Sequence, residues 1–144
     1  MRLHRLVLPA AALLVVAAVV AALVWRGWNT YSYKESSPVP GVTDTTVTVG
    51  SSLALGGHAA FLGTETLRGA QAYLNFVNDH GGVNGRKVRL IAYDDGYDPP
   101  RTLANTLYLI RNDRVFALFS YVGTPTTIEA LPLIQEARVP LVGI

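Results

Sequence analysis

Beyond residue 42 the chain alternates β-branched or wholly apolar runs with amphipathic ones, and this alternation constrains its fold more than any other feature. Thr46-Val47-Thr48-Val49 reads as a strand. Leu67, Ala70, Leu74 and Val77 then recur at helical spacing within residues 64–80, and Gly81-Gly82 stops that helix. Asn84-Gly85 is a tight-turn pair before a second strand, Lys87 to Tyr93. Asp98-Pro99 supplies an N-cap with proline at the first helical position, and Leu103, Leu107 and Ile110 line the apolar face of a second helix. Val115 to Phe119 is apolar without interruption, the pattern of a strand covered on both faces. Thr124-Pro125 repeats the cap-and-proline start, opening a third helix to about Ala137, in which Pro132 should force a bend or an early end. Val139 to Val142 begins a fourth strand.

Strand–helix three times and then a strand predicts an α/β fold. It is a parallel sheet with flanking helices, flavodoxin-like or Rossmann-like, with right-handed crossovers and strand order 2-1-3-4. Ligands of such sheets bind outside the carboxyl ends of the strands, where the order reverses. The loops there are residues 51–63 and 120–126.

The N-terminus has a different texture. Leu6 to Trp25 is twenty residues with no charged or polar side chain, preceded by Arg2 and Arg5 and followed by Arg26. That length suits a bilayer-spanning helix better than a secretory h-region, and no clean small-residue cleavage site follows. The expectation is a signal-anchor, or else a signal peptide, over residues 1–28. A polar linker over 29–42 and a domain over 43–144 follow. Localisation is then periplasmic or extracytoplasmic, anchored in the cytoplasmic membrane by residues 6–25.

The net charge of +2 arises in the N-terminal segment. Residues 43–144 hold eight Lys/Arg against nine Asp/Glu, which argues against nucleic acid as a partner. Without cysteine there is no disulfide, thiolate metal site or thiol nucleophile. Neither G-x-G-x-x-G nor a P-loop is present, so no nucleotide cofactor is expected. Asp94, Asp95 and Asp98 could hold a hard cation, but their spacing matches no known loop. A helix cap and loop tethers account for them, and no metal is expected. His58 lies near serines, yet there is no nucleophile elbow, so no catalytic residue is assigned.

Gly123-Thr124-Pro125-Thr126 carries the most information about function. The first amides of a helix lack internal partners and bear partial positive charge. Gly123 lets a ligand approach the backbone, and Thr124 and Thr126 add hydroxyls. Such a helix start suits a carboxylate. An ordinary solvent-facing cap is the alternative. Tyr121 joins the candidate site by its place at the strand end.

Gly41-Val42-Thr43-Asp44, Gly69-Ala70, the run from Asn78 to Lys87, Asp94-Asp95-Gly96-Tyr97-Asp98-Pro99 and Gly123-Thr124-Pro125-Thr126 occur in that order. Together they resemble the type I periplasmic binding proteins, specifically the leucine/branched-chain amino-acid-binding proteins of ABC transporters. The resemblance covers residues 41–144 and implies the first part of one lobe of a two-lobed protein, an N-terminal fragment. It implies a non-enzyme that binds an amino acid of branched-chain type, or a similar small carboxylate, and delivers it to an ABC permease. Thr124 matches the residue whose hydroxyl and N–H receive the carboxylate. Val122 and Gly123 flank it, and Phe61 and Leu62 fall where the first loop supplies an apolar wall. Some members link two loops by a cysteine pair; Tyr97 and Gly123 occupy those positions here. Gly56 and His58 stand where serine and proline are frequent. A membrane-anchored ligand sensor is the alternative function, and an enzyme on the same fold a third.

Overall fold

A computed structural model describes residues 19–22 and 39–143. The chain divides into two units, residues 1–37 and 38–144, and the second holds all the architecture that follows. Its elements are β1 (Thr46–Leu53), α1 (Ala60–Asp79), β2 (Lys87–Asp94), α2 (Pro99–Arg111), β3 (Ala117–Phe119), α3 (Thr124–Ala137) and β4 (Leu141–Val142). The strands form one parallel sheet in the order β2-β1-β3-β4. β1 pairs with β2 along its full length, from Thr46 opposite Lys87 to Leu53 opposite Asp94.

Among the described residues no helix is long and apolar enough to cross a membrane. This corrects the transmembrane or signal helix expected over residues 6–25. With it go the membrane as a partner and the anchored localisation. Residues 19–22 of that run are described, as helix. The rest of the run, and residues 29–38 of the expected linker, lie outside the described residues. Residues 39–42 pack onto the folded unit, where the Thr48 amide donates to the Gly41 carbonyl at 2.7 Å.

The core lies on the α2/α3 side of the sheet. Leu109, Val115, Leu118, Tyr121, Ala130 and Ile134 are buried together, with Ile91, Ile110 and Leu141 packed against them. Of the expected Leu103/Leu107/Ile110 stripe of α2, Ile110 packs on the core and Leu103 is half-buried, while Leu107 is exposed; the fully buried positions are Thr102, Thr106 and Leu109. The threonines can go inside because each hydroxyl is bonded. Thr102 donates to Asp95 and Asp98, and Thr106 bonds the Thr102 carbonyl and the Tyr121 hydroxyl. The opposite sheet face is less covered than the unbroken apolar run of β3 suggested. Phe116 and Val142 are exposed there, beside Val47 and Val49 on an open apolar groove.

α1 begins at Ala60, four residues before the predicted start, so the connection from β1 is only residues 54–59. Gly63, which reads as a loop residue, is buried inside the helix. A Cβ there would run into the Ala54 carbonyl, so the glycine lets the helix start lie on the strand end. Leu67, Ala70, Leu74 and Val77 are partly buried, as their spacing required. At the far end the Gly82 amide donates to the Val77 carbonyl and the Gly81 amide to Asn78, closing the helix as a Schellman motif. Asn78 grips β2: its amide nitrogen donates to the Val88 carbonyl at 2.9 Å, and its oxygen accepts from the Val88 amide at 2.7 Å.

α3 continues through Pro132 to Ala137 and is not shortened. The carbonyl that Pro132 leaves without a helical partner belongs to Ile128, and both residues are exposed, so solvent can satisfy it.

Candidate ligand cleft

Three connections meet at the carboxyl end of the sheet: residues 54–59, 95–98 and 120–123. Two adjacent aspartates lock the first two together by different means. Asp94 Oδ1 accepts from the amides of Leu55 (2.9 Å), Gly56 (3.0 Å) and Gly96 (2.9 Å), while Oδ2 lies 3.3 Å from Arg101 Nη2. Burial pushes the Asp94 carboxyl up, but the three amide donors and Arg101 together outweigh it and hold it below the ordinary carboxylate value. Asp95 is fully buried. Its Oδ2 accepts from Ser52 Oγ (2.8 Å) and Thr102 Oγ1 (3.0 Å), and Oδ1 from the Tyr97 amide (2.9 Å). These two are the loop tethers expected of the acidic cluster. Asp98 occupies the N-cap of α2, but its side chain makes no cap bond. Among the described residues no group of three His, Asp or Glu could hold a metal ion.

The third connection departs from the expected cap. Gly123, at φ +105°, is the N-cap of α3; Thr124 is its first helical residue and Pro125 its second. The backbone ladder begins with the Thr127 amide donating to the Gly123 carbonyl at 2.9 Å. The amides of Thr124 and Thr126 therefore precede the ladder, and Pro125 has none to offer. Gly123 has no side chain to occupy these donors. A Cβ at that position would stand 2.7 Å from Tyr97 Cε2 and 2.6 Å from Thr126 Oγ1.

A cavity of about 470 Å³ opens over this helix start. Val122, Gly123 and Thr124 form its floor; Leu62 comes from the first turn of α1 and Tyr97 from the connection 95–98; Thr127, Ile128 and Leu131 continue along α3. The structure thus brings together four of the expected residues: Leu62, Val122, Gly123 and Thr124. Thr124 is exposed, and among the described residues its hydroxyl has no partner.

Three expected residues stand elsewhere. Phe61 is 74% exposed and outside the cavity, because α1 already turns at Ala60 and carries it round to the solvent face. Tyr121 is 3% exposed and belongs to the core. Its hydroxyl bonds Thr106 Oγ1 at 2.9 Å, and burial raises its pKa. Thr126 is fully buried, its hydroxyl shared between the carbonyls of Val122 (2.9 Å) and Gly123 (2.8 Å). The threonine lining the cavity beside Thr124 is instead Thr127.

Sequence reasoning also missed Tyr97, Ile128 and Leu131 as walls. The stripe Thr124, Thr127, Ile128, Leu131 follows helical spacing and becomes readable once the helix start is fixed. Tyr97 gave no such signal, because its position depends on a positive φ of 65°.

Chemically, the arrangement offers amide donors and hydroxyls at one end and apolar surface at the other. None of the lining residues is an acid, a histidine, a lysine or an arginine.

The periplasmic binding protein family model matches residues 46–144. A curated relative, an amino acid binding protein of Pseudomonas aeruginosa, is 31% identical over 84 residues, which are 58% of this chain and 22% of that one. Among solved structures, one described as a possible leucine/isoleucine/valine-binding protein from Rhodopirellula baltica is 34% identical. It matches with a TM-score of 0.65 over 74% of this chain and 28% of its own. A solute-binding protein of an ABC transporter from Rhodopseudomonas palustris, in complex with 3,4-dihydroxybenzoic acid, is 31% identical. Its TM-score is 0.61 over 67% of this chain and 26% of its own. The chain thus spans about a quarter of the length of these proteins. With its parallel sheet, its cleft at the strand ends and a family match over most of its length, this chain belongs to the periplasmic binding protein family.

Proposed function

We propose that residues 43–144 are the first part of one lobe of a two-lobed solute-binding protein, which receives a small carboxylate and hands it to an ABC permease. Proteins of this family are non-catalytic transport components. An extracytoplasmic position goes with the family. The observation that carries the reading is the start of α3. The amide and hydroxyl of Thr124, both without a partner among the described residues, meet at a glycine cap on the edge of an apolar cavity. This supports a ligand with an anionic oxygen at one end and an apolar body, a description that branched-chain amino acids and similar carboxylates share. All lining residues lie on one side of the cavity, in α1, α3 and the connections between elements, so enclosing a small solute falls to a second lobe closing from the other side. The sensor alternative drew on the N-terminal membrane helix and has no observation in its favour.

Thr124→Val in the full-length protein keeps the shape and removes the hydroxyl. A hydrogen bond to a charged group is worth about 1.5–3 kcal/mol, so affinity for the native carboxylate should fall roughly 10- to 150-fold by calorimetry. Thr124→Ser should be much milder. Wild-type affinity in Thr124→Val would mean that the hydroxyl faces only solvent.

A further inference from the structure

The turn over residues 95–98 is built against the preferences of its own sequence. The Asp98 amide donates to the Asp95 carbonyl at 3.0 Å, and both central residues, Gly96 and Tyr97, have positive φ. Such turns favour glycine, asparagine or aspartate at both centres; a tyrosine is disfavoured there. What holds it is Asp95, buried and fixed by Ser52 and Thr102, with its free oxygen accepting the Tyr97 amide. Turn formation alone gives no reason for an aromatic ring at this position.

The ring itself stands at the meeting point of the three connections. Its edge lies on Gly123, where even a Cβ would collide with it, and His58 packs on it edge-to-face at 5.5 Å. It also lines the cavity, across from the aliphatic side chains Ile128 and Leu131. Only the backbone of Gly123 separates the ring from the first donor amide, that of Thr124. A carboxylate seated there brings whatever is bonded directly to it against the tyrosine. None of the residues lining the cavity is anionic, so none of them would partner an ammonium beside that carboxylate.

We infer that Tyr97 is the selectivity residue of the cleft, the aromatic wall for a carboxylate joined directly to a flat ring, with the buried Asp95 as its positioning residue. The inference rests on the carboxylate reading of the α3 start. It commits within that reading to aromatic acids over α-amino acids.

The test is calorimetric titration of the full-length protein with 4-hydroxybenzoate and L-leucine as probes. Wild type should prefer 4-hydroxybenzoate. Tyr97→Asn suits the turn while removing the ring, and should weaken 4-hydroxybenzoate by about tenfold or more while moving leucine by less than about threefold. Tyr97→Phe should leave both within about threefold. Asp95→Asn should move the ratio of the two affinities in the same direction as Tyr97→Asn, by less; an unmoved ratio removes Asp95 from the inference. A wild-type preference for leucine, or a ratio unchanged in Tyr97→Asn, overturns the assignment. Thr124→Val separates the two ideas. If it weakens both probes while Tyr97→Asn leaves their ratio alone, the carboxylate seat stands and the aromatic wall falls. If it weakens neither while Tyr97→Asn shifts the ratio, the wall stands and the seat falls.

Discussion

Two helices of this lobe begin with nearly the same words and end up chemically opposite. α2 follows Asp98 with Pro99 and Pro100 in its first two positions. α3 follows Gly123 with Thr124 and Pro125. Of the first three helical residues of α2, two are prolines, so Arg101 alone carries an amide, and its side chain reaches back to Asp94. The first turn of α3 keeps two amides, and its cap has no side chain to compete for them. Both helices have the same macrodipole per turn, yet only one presents donors to a cavity. The number of prolines in the first turn and the bareness of the cap distinguish the start of α2 from the proposed ligand seat at the start of α3.

The sharpest way to break this comparison is to write one start into the other. Thr124→Pro gives α3 the double proline of α2. The first helical position accepts proline, so the fold should persist, while one amide and one hydroxyl disappear together. At about 1.5–3 kcal/mol for each bond to a charged ligand, affinity should fall more than a hundredfold in calorimetry of the full-length protein. Retained affinity would show that the helix start is not the seat.

A smaller effect follows from the caps. Gly123→Ala places a methyl against Tyr97 and Thr126 at a φ that alanine resists, and should cost about 1–3 kcal/mol in thermal or denaturant unfolding. Asp98→Ala at the corresponding position of α2 removes a side chain that makes no cap bond, and should stay within about 0.5 kcal/mol of wild type. Equal costs at the two caps would erase the distinction.

The smallest effect concerns pH. Asp94 has its folded-state pKa lowered from the ordinary value of 3.8, so the folded form resists protonation more than the unfolded chain does. Its contribution to stability is therefore fully present above that value and is lost as pH falls through the lower, folded one. Asp94→Asn should flatten the acid side of the stability–pH curve in that window and leave the neutral side unchanged in slope. An identical acid slope in wild type and variant would detach Asp94 from the loops it bonds.

Much of the fold was legible because it rests on local chemistry. The β-branched strand at Thr46–Val49, the glycine stop after α1, the turn at Asn84-Gly85 and the proline starts each act within a few residues. The strand order then follows from crossover handedness. What was not legible depends on contacts distant in sequence. Gly63 sits in a helix because the Ala54 carbonyl presses on it, and residue type alone reads it as loop. Thr102 and Thr106 face inward because Asp95 and Tyr121 wait there with partners. Within the cleft, Thr124 was readable from its place at a helix start after a buried strand. Thr126 turns inward and Thr127 lines the cavity because Thr127, three residues after Thr124, shares its helix face.

The grip of Asn78 on Val88 bears on how such a sheet coexists with its neighbours. β2 is an edge, and the outward amide and carbonyl of Val88 would otherwise offer the hydrogen-bonding template on which strands of separate molecules stack. One side-chain amide from α1 fills both positions and stands in for the strand that would otherwise add there. At Val88, then, neither amide nor carbonyl is left for a further strand to pair with, and the block is a single asparagine one residue before α1 ends.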